Sequence, residues 1–172
     1  MKKLFAALVA LCLMLTGVAA LADEPTKVNW NDFEAQTAEV KGQFASVGNT
    51  GLMMYIPAQF KDTEVSKDAV AAGHFLALKS EDGKAIVTGQ VVKKDIAQFR
   101  AAIEQQGYHT WDTIVNGISF VQFSVEAEGT VNTSFALPST QNETILFSFA
   151  PANQEPYTGL FKLMAASLQA AK

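Results

Sequence analysis

Cysteine is nearly absent. Cys12 is the only one in 172 residues, and it sits inside an N-terminal apolar run. If that run is removed, the remaining chain has no thiol. This excludes a cysteine nucleophile, a thiolate zinc site, an iron–sulfur cluster and any disulfide. A cysteine-free exported protein fits a bacterial source better than an animal one, where small secreted domains are often stapled by disulfides. Histidine is scarce as well, with only His74 and His109. There is no glycine-rich phosphate loop and no Gly-x-Ser-x-Gly elbow to present a serine nucleophile. After the first two dozen residues, no stretch is long and apolar enough to span a bilayer, which takes about 20 residues. No integral membrane segment is therefore expected once that N-terminal segment is cleaved.

Basic charge is also limited. Lys plus Arg total 13 against 17 Asp plus Glu, a net charge of −4. Two of those lysines, Lys2 and Lys3, precede the apolar run. The order of Met1-Lys2-Lys3, the run from Leu4 to Leu15, the Thr16-Gly17 break and the small-x-small triplet Ala20-Leu21-Ala22 is that of a cleavable signal peptide. Residues 1–22 are therefore expected to be removed on export, which leaves residues 23–172 as a single domain. Cleavage takes away two basic groups and no acid, so the net charge moves from −4 to −6. Nucleic-acid binding needs clustered Lys and Arg, so it is not expected. The expected location is secreted or periplasmic.

Along the mature chain, Asn31 and Glu34 have capping-box spacing. They predict a short helix from Trp30 that points Phe33, Thr37 and Val40 to one face. Residues 43–47 and 52–56 predict a hairpin around Gly48-Asn49-Thr50-Gly51. Residues 62–72 read as a loop with a short helical turn. Strands at 74–79 and 85–92 flank Asp82-Gly83, a pair that favours a tight type I′ turn. Asp95 and Gln98 cap a helix whose apolar face is Ile96, Phe99 and Ile103, and Gly107 stops it. Strands follow at 108–115, 118–126, 130–137 and 144–150, separated by Asn116-Gly117, Glu128-Gly129 and the segment 138–143. The period-2 alternation of the last two predicts an antiparallel sheet with one buried face. After Pro156, Tyr157, Leu160, Phe161, Met164 and Leu168 form one apolar stripe on a closing helix. The fold class is α+β: an antiparallel sheet of about six to seven strands, covered by the C-terminal helix and a mid-chain helix.

Three stretches carry a family resemblance. They are Gly51-Leu52-Met53-Met54-Tyr55-Ile56-Pro57, then Asn116-Gly117-Ile118-Ser119-Phe120, and the helix 157–168 ending in Ala166-Ser167-Leu168. In these, and in the order of elements over residues 43–170, the chain resembles the PsbP-like superfamily, which includes extrinsic photosystem proteins, DcrB-type envelope proteins and Ran-binding Mog proteins. The resemblance implies a non-catalytic binding or scaffold role. It carries no functional residue across.

The candidate site residues are aromatic. Trp111, Tyr108 and Trp30 are harder to place in a core than the phenylalanines, and a half-exposed aromatic can anchor a protein partner or stack on a small molecule. Tyr108 and Trp111 are expected on opposite sides of one strand. The partner is thus an unidentified protein or small-molecule ligand, and no cofactor or metal is implied. The alternative is a small secreted hydrolase using His74 or His109. Paired carboxylates for glycoside cleavage would be Glu126 with Glu128, or Glu81 with Asp82, both pairs at hairpin turns. His109 and Asp112 are three apart, which puts them on opposite faces of a strand. The sequons at Asn132 and Asn142 matter only in a glycosylating pathway.

Overall fold

The computed structural model describes residues 24–171. The expected signal peptide, residues 1–22, lies outside the described residues. Strands β1 (Thr26–Val28), β4 (Phe60–Asp62), β5 (His74–Ser80), β6 (Ile86–Val92), β7 (Thr110–Val115), β8 (Ile118–Ala127), β9 (Thr130–Pro138) and β10 (Thr144–Ala150) form one sheet in the order β1-β7-β8-β9-β10-β6-β5-β4. All neighbours are antiparallel except β1 and β7, which run parallel. Strands β2 (Gly42–Ser46), β3 (Leu52–Pro57) and β11 (Gln169–Ala170) form a separate three-stranded sheet. Three α-helices complete the fold: α1 (Lys67–Ala71), α2 (Ile96–Gln105) and α3 (Tyr157–Ala166).

The α+β expectation holds, but the sheet is larger than six to seven strands and the first hairpin does not join it. The reason lies in α3, which is more than a striped surface helix. Tyr157, Leu160, Phe161, Leu163, Met164, Ala165 and Ala166 are all buried. A helix with so broad an apolar surface needs cover on more than one side. The large sheet covers one side of α3, where Phe161 meets Phe149 and Phe60. The small sheet covers the other: α3 packs against β3, and the Tyr55 N–H donates to Ser167 Oγ at 2.7 Å. The small sheet is therefore the lid that lets α3 lie inside.

The inner face of the large sheet supplies Phe120, Phe135, Phe147 and Phe149, each no more than 2% exposed. Each such ring contributes roughly 2–3 kcal/mol relative to an exposed one. Its other face is not simply wet, as alternation alone suggested. Helix α2 lies there, with Phe99 packed among Val121, Phe123 and Ala136. The Asp95 carboxylate caps α2 as expected, accepting from the Gln98 N–H at 2.8 Å. Between them, Ser134 and Ser148 satisfy each other's hydroxyls at 2.8 Å.

Two local expectations fail for identifiable reasons. Instead of one helix from Trp30, there are two 3₁₀ turns, Trp30–Asp32 and Glu34–Ala38. Phe33 lies between them at φ −114°, which turns its ring into the core and breaks the helical run. At Asp82-Gly83 there is no type I′ turn. The loop between β5 and β6 is wider, and Gly83 takes φ +73° without Asp82. The Asp82 carboxylate is held instead by Ser80 and Tyr157, which draws the loop toward the start of α3.

Candidate functional site

The site begins with a slip in a ladder. His74 pairs with Gln90, but the next pair is Leu76 with Gly89, so Phe75 is an extra residue on β5. Such a bulge re-aims a side chain. Here it puts two consecutive residues, Phe75 and Leu76, against the same inner core. Two glycines make room for the displaced ring. A Cβ on Gly89 would lie 2.5 Å from Phe75 Cε2, and a Cβ on Gly48 would lie 2.5 Å from Phe75 Cδ2. Phe147 meets the ring edge-on at 6.0 Å. The ring is thus held on three sides by backbone or packed aromatic, and it stays half-buried.

Beside it opens a groove of about 560 Å³. Phe75, Val91, Leu137 and Ile145 form its apolar wall. The β2–β3 turn (Gly48, Asn49, Thr50) and the β9–β10 loop, including Ser139, Thr140, Gln141 and Glu143, form its rim. Both rims are tied by hydroxyls. Thr50 Oγ1 donates to the Val47 carbonyl at 2.7 Å and accepts from the Leu52 N–H at 3.2 Å. Ser139 Oγ accepts from the N–H groups of Gln141 and Glu143 at 3.2 and 3.1 Å. These hydroxyls are occupied in holding loops. A groove of a few hundred cubic ångströms, apolar with a polar rim, is the usual form of a small-ligand site.

The three aromatics singled out from sequence lie elsewhere and apart. Trp30 is part of the fold: its ring meets Phe44 and Tyr55 at 5.3 and 5.8 Å, and its N–H donates to Asn116 Oδ1 at 2.6 Å. Trp111 is half-buried and stacks with His109 at 6.0 Å. Tyr108 precedes β7, so the opposite-face expectation does not apply to it; its N–H bonds Ile103 at the end of α2. Among the described residues, the exposed large hydrophobics are Val70 and Ile86, on separate elements, so they form no apolar patch.

The hydrolase alternative needs its histidines beside other catalytic groups. His74 starts β5 and His109 precedes β7, five strand positions away. At about 4.8 Å per strand they stand roughly 20–25 Å apart. Asp112 is turned to Arg100, which donates to it at 3.1 Å. Arg100 and Thr110 also bond Glu104, and the Thr110 hydroxyl is the first cause of the lowered Glu104 pKa. Asp82 is held at a pKa of about 2 by the hydroxyls of Ser80 and Tyr157 and the Lys84 N–H. A general acid needs a raised pKa, so Asp82 is shifted the wrong way for that role. Among the described residues, no three His, Cys, Asp or Glu side chains are grouped to hold a metal ion, and no helix is long and apolar enough to cross a membrane.

No family model matches the chain, and no curated protein matches it. Among solved structures, a crystal structure of a protein from Bacteroides thetaiotaomicron is similar at 17% identity and a TM-score of 0.48. The match covers 77% of this chain and 49% of that one, so the chain spans about half that protein's length. This likeness does not connect the chain to the PsbP-like superfamily.

Sequence reasoning missed the groove. It read both rims as turns and Phe75 as an ordinary strand residue. One signal was present: Gly89 interrupts a largely β-branched strand, and an isolated glycine there marks a bulge or a close backbone approach.

Proposed function

We propose that the chain is an exported, non-enzymatic α+β binding domain of the bacterial envelope or extracellular space, and that the groove beside Phe75 takes a small ligand. One observation carries this reading: a bulge and two glycines combine to place one aromatic ring at the wall of an open groove. A ladder slip leaves a residue unpaired and a strand glycine weakens the sheet, so the arrangement costs stability. Retaining it makes sense if the hollow is used. Export rests on the charge and apolar order of residues 1–22, and the PsbP-like resemblance points to the same class of role. Among the described residues only Val70 and Ile86 are exposed large hydrophobics, which favours a small molecule over a flat apolar protein partner.

The test uses protein recovered from the periplasm or medium of an expressing bacterium, with Asp23 at its N-terminus. It is titrated with small neutral apolar probes (phenethyl alcohol, cyclohexanemethanol, indole) while backbone amide shifts are followed by NMR. Saturable shifts at Asn49, Thr50, Thr140 and Gln141, lost in Phe75→Ala, are expected. Shifts that cluster instead around Trp111 and His109 would move the site and overturn the reading.

A further inference from the structure

The groove's charge is one-sided. Glu143 is the only ionisable residue among those that line it, and no Lys or Arg is present. The Glu143 backbone is fully engaged, its N–H with Ser139 Oγ and its carbonyl with the Ser139 N–H. Its carboxylate is not: among the described residues it makes no hydrogen bond and no ion pair. Two other carboxylates, Asp82 in the β5–β6 loop and Glu104 on α2, behave differently. Asp82 and Glu104 are both taken up by hydroxyl or guanidinium donors. Glu143 is half-buried at the edge of an apolar wall, with its charge unmatched by the protein.

An unmatched carboxylate that lines the same groove as an aromatic ring selects for positive charge twice. It attracts a cation by Coulomb interaction, and a ring such as Phe75 attracts the same cation through its quadrupole. It also repels an anion that enters the groove. Building on the groove reading above, we propose that the natural ligand is a small organic cation with an apolar body. Its ammonium group would sit toward Glu143, and its hydrocarbon part would lie along Phe75, Val91 and Leu137. The mature chain's acidic balance would aid its approach.

Three probes of similar body and different charge test this: phenethylamine, phenethyl alcohol and hydrocinnamate. Affinities come from the same amide shifts at the groove rim. Phenethylamine is expected to bind about tenfold more tightly than the alcohol, and the carboxylate more weakly than either. The preference should shrink as salt rises, because a rim charge is partly screened. Glu143→Gln should bring the amine down toward the alcohol's affinity. Equal binding of amine and alcohol, or an amine preference that survives Glu143→Gln, would refute the charge assignment alone. If none of the three shifts the rim amides, the groove reading fails and the assignment goes with it.

Discussion

Two ladders of the large sheet are built to opposite rules. From Thr110 opposite Phe123 to Val115 opposite Ile118, β7 and β8 pair one to one without a slip. Their turn, Asn116-Gly117, has φ of +50° and +82°, the pattern of a type I′ turn that matches strand twist. In contrast, β5 and β6 slip at Phe75 and are joined by the wider loop held by Asp82. The regular ladder is closed by its Asn-Gly turn, whose Asn116 side chain bonds Trp30 and the end of α3. The irregular one has an aromatic out of register and a groove. Regular pairing makes the fold stable; the departure from it makes space that a ligand can use.

The sharpest way to break the regular side is at Asn116. Its side chain does three jobs at once. Oδ1 accepts from the Trp30 N–H, and Nδ2 donates to the carbonyls of Ala166 and Leu168 at 2.9 and 2.8 Å. It therefore ties the N-terminal segment, the β7–β8 turn and the end of α3 together, while its own backbone stays left-handed. Asn116→Ala removes these bonds and strains a positive φ. The expected loss is about 3–4 kcal/mol of unfolding free energy, read by urea denaturation. A loss under about 1 kcal/mol would mean that this corner does not hold the layers together.

On the irregular side the counterpart is Gly89→Ala. Its added methyl would press on Phe75 Cε2, Cζ and Leu76 Cβ, so the ring must move. Overpacking of this kind costs about 1–3 kcal/mol. Probe binding at the groove should fall with it, although Gly89 does not line the groove. Gly159→Ala is the control. In α3 that Cβ meets nothing within 4 Å, and replacing a helical glycine should stabilise by about 0.5–1 kcal/mol with probe binding unchanged. If Gly89→Ala leaves both stability and binding intact, the ring is not held in the way described.

The same contrast explains what could be read from sequence. The Asn-Gly turn, the Asp95 cap and the alternation in β10 are local signals with local causes, and each appears where expected. What failed depends on distant partners. The second sheet covers apolar surface of α3 that the large sheet does not reach, and a helical period alone cannot say what covers that far side. Trp30 was read as a possible anchor because its partners, Phe44, Tyr55 and Asn116, are far away in sequence. The groove needs a register slip, and Gly89 was its only trace in the chain. Asp82 reads as a turn residue because Tyr157, which holds it, lies 75 residues further along the chain.

That tie gives the smallest of the expected effects, because Asp82 stands at the surface. Ser80, Tyr157 and the Lys84 N–H stabilise its charged form and lower its pKa from 3.8 to about 2. A folded-state pKa below the unfolded one means that stability is present above pH 3.8 and is lost as pH falls toward 2. Tyr157 shifts the other way: its pKa is raised, first by bonding to Asp82. Asp82→Asn should therefore weaken the wild-type protein's advantage at neutral pH and flatten its stability profile between pH 3.8 and 2. Thermal unfolding followed across that range tests it. Because the loop belongs to the irregular ladder but lies at the end away from the groove, probe binding at Asn49 and Thr140 should not change. A variant that kept the wild-type acid profile would show that Asp82 is not the group holding this loop to α3. One that also lost probe binding would show that the two ends of β5 and β6 are mechanically linked.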